Sequence, residues 1–244
     1  MGQLVSLWRN HKLMKKLIIK YSIEFFVIVF SISVSFFVEN LREQKEKESK
    51  RQILVKNLLS EIESNDDYVK EMDSVYRISN EFVRYLLKDS LTVEILKTYP
   101  KYSPANPFLS NTGFNPTNSI YSSIINDGSL NLIESPILKA KIDELYKTSF
   151  QNVLKFTASE EEVAKAADNL FISNYSELYL RNFWNNYNDR NLMSDFIDVI
   201  RTDSKFKALM MQKLSFMEAK SRELNNYITK RDSLKIYLKL YLND

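Results

Sequence analysis

The chain is 244 residues long, with 34 Lys and Arg, 31 Asp and Glu, a single histidine and no cysteine, for a formal net charge of +3. Without cysteine there are neither disulfides nor thiolate metal centres, and with His11 as the one histidine there is no His-based triad or multi-histidine metal site. The near-balanced charge forms no basic patch, and no two glycines lie close enough to build a phosphate-cradling loop, so no nucleic-acid partner, cofactor or metal is expected.

Residues 1–16 read as a basic amphipathic arm, with Leu4, Val5, Leu7, Trp8, Leu13 and Met14 set among Arg9, Lys12, Lys15 and Lys16, a pattern suited to a membrane interface. Residues 17–38 follow as the one segment apolar and long enough to cross a bilayer. As a helix its 22 residues cover about 33 Å against a hydrocarbon core of roughly 30 Å. Glu24 opposes insertion by about 2.5 to 3.5 kcal/mol, but twelve Ile, Val and Phe residues from Ile23 to Val38 each return about 0.3 to 0.6, so insertion wins. A cleaved signal peptide is the competing reading, with Ser33 and Ser35 as small residues for cleavage. The apolar run exceeds the usual ~7 to 15 residues and contains Glu24, which disfavours it.

Five basic residues precede the span (Arg9, Lys12, Lys15, Lys16, Lys20) and five follow it (Arg42, Lys45, Lys47, Lys50, Arg51), so counting Lys and Arg gives a tie in orientation. The compact, purely basic arm has the first chance to fix topology, which places the N-terminus in the cytoplasm and the C-terminal domain on the periplasmic side. Removing the five residues through Lys20 leaves 29 Lys and Arg against 31 acidic residues, so the positive excess belongs to the arm. Glu24, Ser31 and Ser35 are seven and four residues apart and share one helical face, which points to a contact with another transmembrane helix, from a second copy or a membrane-protein partner.

Residues 39–52 alternate acidic and basic side chains and read as a solvated stalk, and residues 53–244 as an α-helical soluble domain. From Leu41 to Leu87 one helix is expected, with Val55, Leu58, Ile62, Val69, Met72, Tyr76, Val83 and Leu86 on an alternating three-four spacing and Asn65 and Ser79 as its polar positions. All five prolines and two of the three glycines fall between Pro100 and Pro136, so the chain is expected to be all-α with one Pro/Gly-rich loop at 98–116. That loop is a candidate recognition element; the alternative is an excursion that packs Phe108 and Phe114 on the core. Asp127 and Gly128 mark a helix end. A helix follows over Ile137 to Phe156, begun by Pro136, and Ser159 with Glu162 reads as a capping box for the next, to about Ile172. Helices are expected near Tyr175 to Tyr187 and Leu192 to Ile200. A last helix, capped by Asp203 or Ser204, runs to about Leu240 and can lie antiparallel to the emerging one, with Phe206, Met210, Leu214, Met217, Leu224 and Ile228 as its stripe.

Glu24, the apolar run and Glu39-Asn40-Leu41-Arg42-Glu43 resemble the N-terminal signature of an uncharacterised Gram-negative bacterial family of small single-span proteins, in which a glutamate opens the span and Asn-x-x-Glu closes it. Asn118 to Leu130 with Leu132-Ile133-Glu134, and then Leu138 and Leu145-Tyr146, resemble the family's helix, Gly turn and helix element. Serines within the span and Leu41 in place of tryptophan depart from the pattern. The resemblance implies a domain of unknown function anchored in the bacterial inner membrane, with no catalytic residues.

Two acidic clusters, Glu61/Glu63/Asp66/Asp67 and Glu160/Glu161/Glu162, have the composition of cation sites or carboxylate pairs but read as solvated helix surface or helix N-terminus. Tyr175, Tyr179, Phe183, Trp184 and Tyr187, interleaved with Asn and Asp, read as core aromatics or, if exposed, as a ligand or partner surface formed by Tyr179, Trp184 and Tyr187. The function expected is that of a membrane-anchored scaffold or sensor of the cell envelope without catalysis. The alternatives are a membrane-tethered enzyme with a carboxylate site and a cytoplasm-facing signalling or defence subunit.

Overall fold

The structure, a computed structural model, describes the backbone of residues 2–98, 111–181 and 189–243, and side chains from residue 20 onward within those stretches. Among the described residues there are nine α-helices and no strand. They are α1 (Gly2–Ser64), α2 (Asp66–Leu86), α3 (Val93–Thr98), α4 (Ser119–Asn126), α5 (Pro136–Asp143), α6 (Phe150–Asn174), α7 (Ser176–Leu180), α8 (Arg190–Thr202) and α9 (Ser204–Asn243). A 3-10 turn spans Ser129–Leu132, and a π-helical turn at Glu144–Ser149 joins α5 to α6. The chain divides into two compact units, residues 1–53 and 54–244.

The first unit is helix throughout the described residues. Residues 20–47 are exposed on every face, and the apolar window within them reaches a mean hydropathy of 2.0 with no residue buried. By length and composition this is a helix able to cross a membrane. Its C-terminal part is laced by ion pairs three or four residues apart, among them Arg42 with Glu39 at 2.8 Å and Lys50 with Glu46 at 2.8 Å.

The second unit is built on α2, α6 and α9. Each buries one stripe at alternating three and four residues, the spacing by which side chains of neighbouring helices interlock. On α2 the stripe is Val69, Met72, Tyr76, Ser79, Val83 and Leu86; on α6 it is Phe150, Val153, Glu160, Ala164, Ala167 and Phe171. On α9 it runs Phe206, Met210, Lys213, Met217, Lys220, Leu224, Tyr227, Arg231, Leu234 and Leu238. α9 is antiparallel to α2, since Asp66 meets Lys235 at 2.6 Å and Arg84 meets Glu218 at 2.6 Å, and antiparallel to α6, where Asn152 meets Glu223 at 3.2 Å.

The buried residues fall into two apolar clusters. The first gathers Val55, Leu58 and Ile62 of α1, Val69 to Tyr76 of α2, Phe114, Leu138, Ile142, Leu145, Tyr146, Val153 and the C-terminal half of α9 from Leu224. The second gathers Phe82, Leu86, Leu91, Leu96, Ala167, Phe171, the apolar face of α8, Phe206 and Met210.

Four expectations are corrected. The helix expected over Leu41 to Leu87 is interrupted at Asn65, whose side chain bonds to Thr117 on another segment and ends α1 there. Ser159 starts no helix: α6 runs through it, because Phe150–Asn174 contains neither Gly nor Pro and its buried stripe continues from Val153 through Glu160 to Ala164. The helix expected over Ile137 to Phe156 contains the π turn, which shifts its buried face from Ile142 to Leu145, Tyr146 and Ser149. Within Tyr175 to Tyr187, α7 covers only Ser176–Leu180; Trp184 and Tyr187 lie outside the described residues, as do Phe108 and most of the 98–116 loop.

Helix boundaries have local causes. Ser135 accepts the Leu138 N–H at 3.3 Å and Pro136 takes the first helical position, where no N–H is needed. Gly128 ends α4 with φ of 73°, the left-handed region that an L side chain disfavours. Asp189 caps α8 through the Asn191 and Leu192 N–H groups, and Asp203 caps α9 through Lys205 and Phe206 at 2.9 and 3.0 Å.

Candidate functional site: a buried charge layer beneath a docked segment

Between the two apolar clusters the three long helices all present polar side chains at one level: Ser79 and Asn80 on α2, Glu160 on α6, and Lys213 and Lys220 on α9. Glu160 and Lys220 are 2% exposed and Lys213 is fully buried. Lys220 forms a hydrogen-bonded ion pair with Glu160 Oε2, and the Lys213 ammonium stands 4.0 Å from Glu160 Oε1. The Lys220 ammonium also donates to the Thr112 carbonyl at 3.1 Å and sits 4.1 Å above the Tyr76 ring. Two ammonium groups thus meet one carboxylate. The segments 99–110 and 182–188 contain no Asp or Glu, so neither adds an acid to the layer.

Taking charges out of water costs several kcal/mol per ion, and close pairing with further hydrogen bonds offsets that only in part. The cost is visible in the side chains' proton affinity. Burial pulls Lys213 down to about 8, against the attraction of Glu160 and with the repulsion of Lys220 adding to it. Burial lowers Lys220 as well, opposed by the charge of Glu160 and its hydrogen bond. Ser79 Oγ, Asn80 Oδ1 and Thr112 Oγ1 are buried yet make no hydrogen bond among the described residues, so the layer is also incompletely satisfied.

The layer is covered by the extended segment 111–118, which three side chains of the α1–α2 arm hold in place. Asn65 donates from Nδ2 to the Thr117 carbonyl at 2.7 Å and accepts the Thr117 N–H at 2.9 Å. The Tyr68 hydroxyl accepts the Asn115 N–H at 2.6 Å, and the Tyr76 hydroxyl donates to the Gly113 carbonyl at 3.2 Å. Phe114 is thereby inserted into the first cluster, edge-on to Tyr227 at 5.3 Å. Burial raises the Tyr76 hydroxyl well above the ordinary phenol range, so it stays a neutral donor.

Glu61 is the second buried carboxylate. It accepts the N–H groups of Ile120 at 2.5 Å and Tyr121 at 3.3 Å, the Ser119 hydroxyl at 3.4 Å and the Tyr146 hydroxyl at 3.2 Å. It therefore caps α4 from another helix, in the role that the adjacent Asn118 side chain does not fill. Asn57, Ser60, Ser64 and Thr117 surround it in a polar cleft. The reading of Glu61 and Glu160 as solvated surface is corrected, because each lies on the core-facing stripe of its helix or beside it.

The other sequence-derived residues have surroundings of their own. Glu24 is exposed, 3.9 Å from Lys20. The hydroxyls of Ser31 and Ser35 donate to the Val27 and Ser31 carbonyls at 2.7 and 2.9 Å, so each is satisfied within its own helix. Tyr179 is 37% exposed, with its ring 6.5 Å from that of the buried Phe171. The aromatic run is thus anchored at Phe171 and Tyr175, whose hydroxyl donates to Asp203 at 2.8 Å, and opens towards solvent at Tyr179 and Leu180.

Compared with protein-family models, with curated proteins and with solved structures, the chain finds no match.

Proposed function

We propose that this chain is a single-span, membrane-anchored helical protein of the bacterial cell envelope that works by binding, as a scaffold or sensor subunit. The observation that carries the reading is the uninterrupted exposure of the apolar face from Tyr21 to Val38. Phe25, Phe26, Phe30, Phe36 and Phe37 are each exposed by more than 60%, a surface that water disfavours and hydrocarbon accepts. Ser31, Ser33 and Ser35 support the same reading, since each of these hydroxyls donates to a carbonyl of its own helix rather than facing lipid unsatisfied. The resemblance at Glu24 and Asn40 to Glu43 belongs to this proposal. So do a cytoplasmic N-terminus, a periplasmic domain, and helix contacts through Glu24, Ser31 and Ser35.

Extraction with alkaline carbonate tests the anchor: the full-length protein stays in the membrane pellet with its N-terminus intact. Release into the supernatant, or a mature chain beginning near Phe36, overturns the reading. Reporter fusions at Asp244 test the side. Activity of a periplasm-dependent reporter is expected, whereas activity of a cytoplasm-dependent one reverses the topology and favours a cytoplasm-facing signalling subunit.

A further inference from the structure

We propose that the cleft over Glu61 is a binding site for a primary ammonium group carried on a short alkyl chain. All of its residues belong to the second compact unit, so the site holds on either side of a membrane and its failure leaves the proposed anchor intact.

The first support is an unbalanced charge. Two acids are buried among the described residues, Glu61 and Glu160. Glu160 meets two lysines, whereas Glu61, only 5% exposed, meets N–H and hydroxyl donors alone. The N-terminus of α4 offsets part of that charge, but a carboxylate removed from water without a cation stays costly. The second support is the length of its bonds. Donors to a carboxylate usually stand about 2.7 to 2.9 Å away from nitrogen and about 2.5 to 2.7 Å from oxygen. Only the Ile120 N–H comes that close, at 2.5 Å; the Tyr121 N–H, the Tyr146 hydroxyl and the Ser119 hydroxyl stand off at 3.3, 3.2 and 3.4 Å. The third is the space above it, a cleft of about 320 Å³ walled by Asn57, Ser60 and Ser64 on one side and Thr117 and Ser119 on the other. These side chains are short and uncharged, so the wall supplies no cation of its own.

The carboxylate's setting selects among cations. Oε2 lies with the cleft-lining Ser119 and Ile120, while Oε1 receives the hydroxyl of the buried Tyr146. One accessible oxygen suits the point charge of an ammonium, whereas a guanidinium fork engages both oxygens together. One carboxylate is also too few ligands for a calcium-like cation, which takes about six to eight oxygens. An entering ammonium replaces the long Ser119 bond at Oε2 and finds further acceptors in the hydroxyls of the wall, with Ile120 beside its alkyl chain. A free amine and the lysine side chain of a partner share this chemistry, and the experiment separates them.

The full-length, nitrogen-15-labelled chain in nonionic micelles is titrated at constant ionic strength with n-butylammonium chloride and with neutral butyramide, following the amide resonances of Ile120 and Tyr121. Saturable shifts with a Kd on the order of 1 mM are expected for the ammonium and none for the amide. Glu61→Gln keeps an oxygen for the α4 N–H groups but removes the charge, and is expected to bind about ten-fold more weakly or less. Ser60→Leu fills the cleft from its exposed wall without altering the carboxylate and is expected to weaken binding as much, while Thr229→Leu, equally exposed on α9, binds as the wild type does. The site is overturned by the absence of saturable shifts in the wild type up to about 50 mM, by an equal response to butyramide, or by wild-type affinity in Ser60→Leu or in a folded Glu61→Gln. If Glu61→Gln does not fold, Ser60→Leu decides. The source is read with acetyl-glycyl-lysyl-glycinamide: tighter binding than butylammonium assigns the site to a partner's lysine, and weaker binding assigns it to a free amine.

Discussion

Glu61→Ala is the substitution whose consequences the structure specifies most fully. The carboxylate serves two ends at once: it caps α4 through the Ile120 and Tyr121 N–H groups, and it receives the hydroxyl of the buried Tyr146. Loss of a helix cap costs about 1 kcal/mol. A buried phenol left without an acceptor costs roughly 1 to 3 kcal/mol more. The expected loss is about 3 kcal/mol, large against the ~5 to 15 kcal/mol that holds a domain together. Tyr146→Phe removes the hydroxyl and keeps the ring, which stacks on Tyr121 at 4.0 Å, so its own cost is about 1 kcal/mol. In the double variant the orphaned hydroxyl no longer exists, and the combined loss falls short of the sum of the two by about 2 kcal/mol. Urea unfolding of the four proteins gives this coupling directly. Strict additivity, or a loss below about 1 kcal/mol for Glu61→Ala, refutes the assignment of Glu61 as a shared cap.

Further outcomes follow from other named contacts. Asp203→Ala removes the acceptor for two N–H groups of α9 and for the Tyr175 hydroxyl, and is expected to lower stability by about 1 to 2 kcal/mol in urea unfolding. Gly128→Ala meets no atom within 4 Å, so its cost, about 1 kcal/mol, is that of the left-handed backbone alone, and Gly128→Asn is expected to recover most of it. Burial pushes the Tyr227 hydroxyl up to about 12 and raises those of Tyr76, Tyr146 and Tyr175 as well; because the unfolded chain then loses these protons first, stability falls as pH rises above about 10, and Tyr227→Phe is expected to make that alkaline limb shallower by one proton's share. With Lys213 acting in the opposite direction at lower pH, the unfolding free energy is expected to peak between about pH 9 and 10, which a pH series of urea midpoints checks.

The helices were legible because little in the chain competes with helix formation, and because their ends carry recognisable chemistry at Ser135, Pro136, Gly128 and Asp203. Interruptions imposed from a distance were not legible. Asn65 breaks the α1–α2 arm because its amide pairs with both backbone groups of Thr117, 52 residues away, a partner that local spacing does not reveal. The π turn after Asp143 likewise leaves no local mark, since it adds one residue to a helix that both flanks already favour. The Ser159 and Glu162 pattern failed for a different reason: a capping box acts only where the preceding backbone leaves the helix, and at Ser159 the core stripe of α6 continues.

The buried layer was present in the sequence but was assigned to the surface by residue type. Apolar residue type points the α9 stripe through Leu214 and Ile228, both of which the fold leaves only partly buried. Strict three-four spacing from Phe206 passes instead through Lys213, Lys220 and Arg231. The same spacing on α6 from Phe150 reaches Val153, Thr157 and then Glu160, the acid that meets those lysines. A strict heptad stripe that is maintained across charged residues says that the register is fixed by the apolar positions on either side and that the charges are carried into the interior with them. Opposite charges then have to lie at the same level on facing helices. Among the antiparallel pairings of α6 and α9, the one that joins Glu160 to Lys213 and Lys220 also joins Asn152 to Glu223. The apolar clusters thus set which helices meet, and the buried charges restrict how far one can slide along the other. A shift of α9 by one heptad in either direction would leave Glu160 facing one ammonium at most and drive the other against an apolar cluster, a cost of several kcal/mol that apolar packing alone would not impose.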